Sequence, residues 1–244
     1  MQGRGLFETL KILRGRPVFF SDHAGRLRRS APALELPLPS PDDVLLGRCA
    51  RVIAANALGE GVLKIVVFQD LAGTGELILT RQNPYRPEHY ERGFKLAVLQ
   101  DGRRPGYLSG LKTLNYLGNS DARRAALAAG CDDALLVDAS GAVLEGATSN
   151  VFAVSGGRIF TPALACAILP GVARANVLRL PACGDAEQGV LTLPQLLEAD
   201  EVFVTNALLG VMPVARIDQR NFDLTQNPVT RAVREAYQAA ELAS

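Results

Sequence analysis

Apolar stretches separated by turn formers set out the elements of the first hundred residues. Leu6–Leu13 and Pro17–Phe20 flank Arg14-Gly15 and predict a β-hairpin. A short helix is expected from Asp22. A longer one is expected over Asp42–Leu58, where Pro41 and the acidic pair mark its start. Gly61–Gln69, Glu76–Thr80 and Phe94–Leu99 predict strands, and Asp101–Gly110 (DGRRPGYLSG) is rich in turn formers. Apolar residues then recur at helical spacing over Leu114–Ala129. A meander follows, with strands at Ala134–Asp138, Val143–Glu145, Val151–Val154 and Arg158–Thr161. Pro170-Gly171 opens a helix through Leu180, and Leu193–Ala199 is a short helix. Glu201–Thr205 and Val211–Ala215 are strands, and a last helix runs over Pro228–Leu242. The pattern is α+β, mostly antiparallel, in two lobes: 1–100 as a smaller N-terminal lobe, 101–110 as the connection and 111–244 as a larger lobe.

Composition narrows the class. The chain is 48% hydrophobic and 21% charged, enough apolar material for a folded core. Its net charge of +1 sets up no field for nucleic acid or an anionic membrane, and the short basic cluster Arg26–Arg29 lacks an extended basic footprint. No apolar run reaches a membrane span, and no signal peptide is read at Met1. Cys49, Cys131, Cys166 and Cys183 form no C-x-x-C pair, which suits reduced thiols in a cytoplasm. With His23 and His89 as the only histidines, no metal is expected. Only four of 26 basic residues are lysines, so each lysine invites a question about chemistry that arginine cannot perform.

Several residues admit both a chemical and a plain reading. Lys112 stands just before a helix, where a lysine commonly only decorates the start. Glu145 ends a strand, as a solvated carboxylate or as the partner of a ring nitrogen. Arg26 offers a rigid fork to a phosphate or merely adds to a basic helix face. The amides of Val172 and Ala173 open a helix and suit an anion, as many helix starts do. Asn206-Ala207 follows a strand as a turn.

The order and spacing of these residues resemble the class IV aminotransferase family, the fold type IV pyridoxal-phosphate enzymes. The likeness runs from Gly5 to about Ala215. It is carried by Gly5-Leu-Phe-Glu-Thr9, H-x-x-R-L at His23–Leu27, Lys112 with Asn115-Tyr116-Leu117, E-G-x-x-S-N-x-F at Glu145–Phe152, Gly171-Val-Ala-Arg174 and Val204–Val214. The resemblance implies a two-lobed fold with pyridoxal 5′-phosphate held as a Schiff base on Lys112, which also shuttles a proton. It implies that Glu145 pairs with the pyridine nitrogen. Arg26, the amides of Val172 and Ala173, and the Asn206-Ala207 turn would hold the phosphate. Thr148 and Ser149 would line the ring, and Tyr116 would reach the cofactor. The larger lobe is then the cofactor-binding one, the substrate a small molecule bearing an amino group, and the assembly a homodimer.

Two residues between Lys112 and Asn115 match D-amino-acid aminotransferases and aminodeoxychorismate lyases, where branched-chain aminotransferases place three. Asn206–Val214, Gly61-Val-Leu-Lys-Ile65 and Pro87-Glu-His-Tyr90 look most like the lyases. These convert aminodeoxychorismate to 4-aminobenzoate and pyruvate, a step toward folate. Three features depart from that pattern. Asp70–Gly75 is shorter than the lyase loop and lacks its arginine. Ala173 stands where many relatives have Thr. The motif at Gly5 lies so near Met1 that the N-terminal edge of the first sheet is expected to be shortened. A transaminase acting on D- or branched-chain amino acids is the alternative, and a non-enzymatic cofactor-binding relative the third reading.

Overall fold

The computed structural model describes residues 4–100, 108 and 110–244, so the expected connection 101–110 lies mostly outside the described residues. The chain forms two compact units. One comprises the described residues up to Tyr85 with Leu111–Tyr116 and Ala239–Ser244; the other takes Arg86 onward and Leu117–Gln238.

In the first unit, β1 (Gly5–Leu13), β2 (Arg16–Pro17), β3 (Gly61–Asp70) and β4 (Gly73–Arg81) form an antiparallel sheet in the order β2-β1-β3-β4. Alternation assigns its faces. Leu6, Leu10 and Ile12 of β1, with Leu63, Ile65 and Val67 of β3, bury against α1 (Phe20–Ser30) and α2 (Asp42–Ala55). The expected second hairpin strand stops at Pro17, because Phe19 takes a left-handed conformation (φ 51°) that turns the chain into α1. Since β2 pairs only with Ile12 and Leu13, the N-terminal half of that edge of β1 is left to residues 112–114. Phe7 N donates to Lys112 O (2.9 Å), Leu114 N donates to Gly5 O (2.9 Å), and Thr113 bridges Leu6. At the far end of β1, Lys11 Nζ donates to both carboxylate oxygens of buried Glu241, at 2.8 Å each.

The second unit contains α3 (Pro87–Arg92), β5 (Phe94–Gln100), α4 (Leu117–Ala128), β6 (Asp133–Val137), β7 (Ala142–Gly146), β8 (Asn150–Ser155) and β9 (Arg158–Pro162). There follow α5 (Val172–Arg179), β10 (Glu187–Gly189), β11 (Leu191–Thr192), α6 (Leu193–Glu198), β12 (Glu201–Asn206), β13 (Gly210–Ile217), β14 (Arg220–Asn221) and α7 (Pro228–Ala243), whose last residues group with the first unit. A ten-stranded sheet runs β10-β9-β8-β12-β13-β5-β6-β7-β11, with β14 beside β13. It is mostly antiparallel, but β5 lies parallel to both β6 and β13, and β10 lies parallel to β9. That pairing puts β5 in the second unit, although the sequence reading groups it with the first hundred residues. The helix expected from Leu114 begins at Leu117, because the backbone of 112–114 is engaged with β1. Buried Glu201 accepts from Val229 N (3.0 Å) and Thr230 N (2.7 Å), satisfying two open amides at the start of α7.

Candidate active site

In the first unit, the backbone pairing with β1 sets the face on which Lys112 emerges. Thr113 shares the buried face with Leu6, so Lys112 shares the opposite face with Phe7. Lys112 Nζ lies 4.5 Å from the centroid of the Phe7 ring and 4.8 Å from that of Tyr116. The two rings meet edge to face at 5.3 Å. Lys64 Nζ stands 4.5 Å from the same Phe7 ring, so two of the four lysines share one aromatic surface.

Arg26 is buried on α1 against Glu8 of β1. Its Nε donates to Glu8 Oε1 (2.8 Å) and its Nη2 to Oε2 (2.6 Å), and His23 Nδ1 meets the same Oε2 at 2.6 Å. One edge of the Arg26 guanidinium is thus committed to Glu8. Burial opposes ionisation of Glu8 most strongly, but Arg26 and then His23 outweigh it and hold the carboxyl at about 2. Burial lowers His23 in spite of Glu8, favouring the neutral ring. Tyr116 acts electrostatically on Arg26, and Lys112 on His23. Lys112, Tyr116 and Arg26 therefore belong to one cluster.

In the second unit the turn between β7 and β8 is tied down on several sides. Glu145, buried at the end of β7, accepts from Leu169 N (3.0 Å), while Asn150 Nδ2 donates to Leu169 O (3.0 Å). Buried Asp133 accepts from Thr148 Oγ1 (2.9 Å), Thr148 N (3.2 Å) and Ser149 Oγ (3.0 Å). Burial outweighs these bonds and raises its pKa. Both hydroxyl protons are thus given to Asp133, leaving the Thr148 and Ser149 oxygens only their acceptor capacity. A Cβ on Gly146 would stand 2.1 Å from Ser149 Oγ, so this closeness needs glycine. Asn119 Nδ2 donates to Ala147 O (3.0 Å) and Asn206 Nδ2 to Thr148 O (3.1 Å). Asn206 Oδ1 accepts from Leu208 N and Leu209 N (2.9 Å each), and Tyr90 Oη donates to Leu209 O (2.8 Å). The Asn206 side chain thereby shapes the turn containing Ala207.

The start of α5 has the character of an anion site. Gly171 is its N-cap without a side-chain cap, and the first intrahelical bond is Ala175 N to Gly171 O (2.9 Å). Among the described residues no acceptor takes the amides of Val172 and Ala173, both buried. A buried helix start with open amides is a place for an anionic group. A Cβ on Gly171 would fall 2.0 Å from Asn150 Oδ1.

Glu8, His23, Asp133 and Asn119 received no role from the sequence. Glu8 had a signal: it is the one charged residue at the alternating positions Leu6, Glu8, Leu10, Ile12 that face the core. Glu8→Gln is expected to leave Arg26 buried beside a neutral partner and lower stability by about 3–5 kcal/mol at pH 7. The wild type should weaken as pH falls below about 6.5, where the unfolded imidazole gains a proton that buried His23 resists. It should weaken further from about 4.5 down to about 2, because a carboxyl held low stabilises only while ionised; the span is worth roughly 3 kcal/mol. Denaturant melts at several pH values check this: a Glu8→Gln curve parallel to wild type through the acid window would contradict it.

Three comparisons bear on the site. A sequence family described as amino-transferase class IV matches residues 5–217. The chain is 32% identical to a probable branched-chain-amino-acid aminotransferase of Thermotoga maritima, over 98% of this chain and 86% of that protein. It is 29% identical to an aminodeoxychorismate lyase of Vibrio harveyi, over 95% and 90%. Among solved structures, a fold IV-transaminase from Curtobacterium pusillum superposes with a TM-score of 0.84 at 25% identity, covering 100% of this chain and 87% of that one. The mixed helix-and-strand architecture is thus that of the fold type IV enzymes.

Proposed function

Because the chain belongs to the class IV aminotransferase family, whose members depend on pyridoxal 5′-phosphate, we propose that it is an aminodeoxychorismate lyase working through Lys112. The observation that carries the assignment to Lys112 is its anchoring on β1, with the amine against Phe7 and Tyr116.

The residues present fit the cofactor. Open buried amides at Val172 and Ala173 suit its phosphate, and Arg26 supplies a guanidinium held by Glu8. Glu145 offers a buried carboxylate for the pyridine nitrogen. When bound, pyridoxal phosphate supplies an electron sink for the carbon bearing the substrate's amino group. Lys112 would provide the anchoring amine and would take the proton from that carbon. Glu145 would keep the ring nitrogen protonated. For a lyase, loss of that proton together with the enolpyruvyl oxygen on the neighbouring carbon would give 4-aminobenzoate and, after protonation, pyruvate. Support for this substrate is the run Asn206–Val214 and the second lysine, Lys64, beside the same phenyl ring.

A transaminase for D- or branched-chain amino acids uses the same residues; the 32% identity to a probable branched-chain enzyme favours it. The proposal extends to a homodimer, for which Leu77 and Leu79, exposed on edge strand β4, offer apolar surface. It also includes a cytoplasmic location: the four cysteines are free thiols, and no helix among the described residues is long and apolar enough to cross a membrane. The test is turnover by purified protein. Formation of 4-aminobenzoate from aminodeoxychorismate is the expected result. Keto-acid formation from D- or L-amino acids with 2-oxoglutarate or pyruvate, without 4-aminobenzoate, would replace the lyase reading by the transaminase one.

A further inference from the structure

We propose that Arg174 is a buried counter-charge for the phosphate dianion at the start of α5. This rests on the reading above that Val172 and Ala173 bind phosphate. Arg174 occupies the third position of the helix whose first amides lack acceptors, and it is only 3% exposed. Its Nη2 donates to Pro162 O (2.8 Å) and Gln188 Oε1 (2.9 Å), both neutral, and its Nε is buried with no partner. Among the described residues no carboxylate pairs with it. Burial alone lowers its pKa, and the one titratable group acting on it, Cys183, is a buried thiol pushed up to about 11 and so neutral at pH 7. Arg26, in contrast, is matched by Glu8.

A guanidinium withdrawn from water without an anion is costly, and arginine does not escape the cost by losing its proton. A neutral side chain could tie α5 to Pro162 and Gln188 without that cost. The helix start offers what the charge lacks: a place where an anion is held by amides on the same turn. In a low-dielectric interior, the guanidinium and the open amides favour a doubly ionised phosphate together. Arg174 is thus a positioning residue for the phosphate, acting through the field and not through contact.

The test compares wild type, Arg174→Gln and Arg174→Lys for affinity toward pyridoxal phosphate and toward pyridoxal, which lacks the phosphate. At an effective dielectric constant of about 20, losing one buried charge that favours an anion changes the binding equilibrium roughly tenfold. Arg174→Gln should therefore weaken pyridoxal phosphate about tenfold or more and leave pyridoxal unchanged, while Arg174→Lys should stay close to wild type. Phosphorus NMR of the loaded wild type should show a dianion throughout the range around pH 6 where a free phosphate ester titrates. Equal loss for both ligands in Arg174→Gln, or no loss for either, would overturn the proposal. So would a wild-type phosphate titrating near pH 6, a result that does not depend on the variant folding. Wild type preferring pyridoxal phosphate no more than pyridoxal would instead remove the underlying phosphate reading.

Discussion

Replacing Lys112 by arginine is expected to abolish turnover while the protein stays folded. Arginine keeps the charge and can still lie against Phe7 and Tyr116, and the backbone bonds to Phe7 and Gly5 do not involve the side chain. What disappears is an amine that can release a proton and bond covalently to a carbonyl. The loss should be about 10⁴-fold or more. Borohydride treatment of the loaded wild type should fix the cofactor on Lys112 alone among Lys11, Lys64, Lys95 and Lys112. Lys64 is the informative control because it lies against the same ring. A fixed cofactor on Lys64 with Lys112 unmodified would transfer the role to the wrong strand and end the assignment.

The second large effect is expected at Glu145. Glu145→Gln keeps the size of the side chain and an oxygen able to accept from Leu169 N, so the clamp on Leu169 should survive. It removes the negative charge that would keep a ring nitrogen protonated. The variant should bind cofactor and substrate but exchange the substrate's α-proton for deuterium roughly 10²–10³-fold more slowly. Both the lyase and transaminase readings require this outcome. Exchange at the wild-type rate by folded, fully loaded Glu145→Gln would show that another group partners the nitrogen.

Most strands and helices were legible in the apolar pattern, because their faces are buried in regular alternation. The exceptions share a cause. The strand expected at Pro17–Phe20 and the helix expected from Leu114 both have suitable residues, yet at Phe19 and at 112–114 the backbone is diverted by a left-handed turn and by pairing with a distant strand. Local propensity carries no information about a bond between residues 7 and 112. The same holds for the site. Lys112 and Glu145 stood out by motif, whereas Asp133 became visible only through its three bonds to Thr148 and Ser149. Arg26 shows the middle case: its motif was readable, its commitment to Glu8 was not.

The pairing of Leu6 with Thr113 also orders events in time. During synthesis β1 can join β3 once residue 70 or so has emerged, leaving the amides and carbonyls of Gly5–Phe7 on one side without partners until residues 112–114 follow. At ordinary elongation rates that interval is roughly a few seconds. For that period the nascent chain carries an open strand edge, the kind of surface that pairs with other chains. The strand that seats Lys112 is thus among the first parts made yet is completed only about forty residues after it pairs with β3, so conditions that slow translation between residues 70 and 114 should lower the yield of soluble protein before they affect its activity.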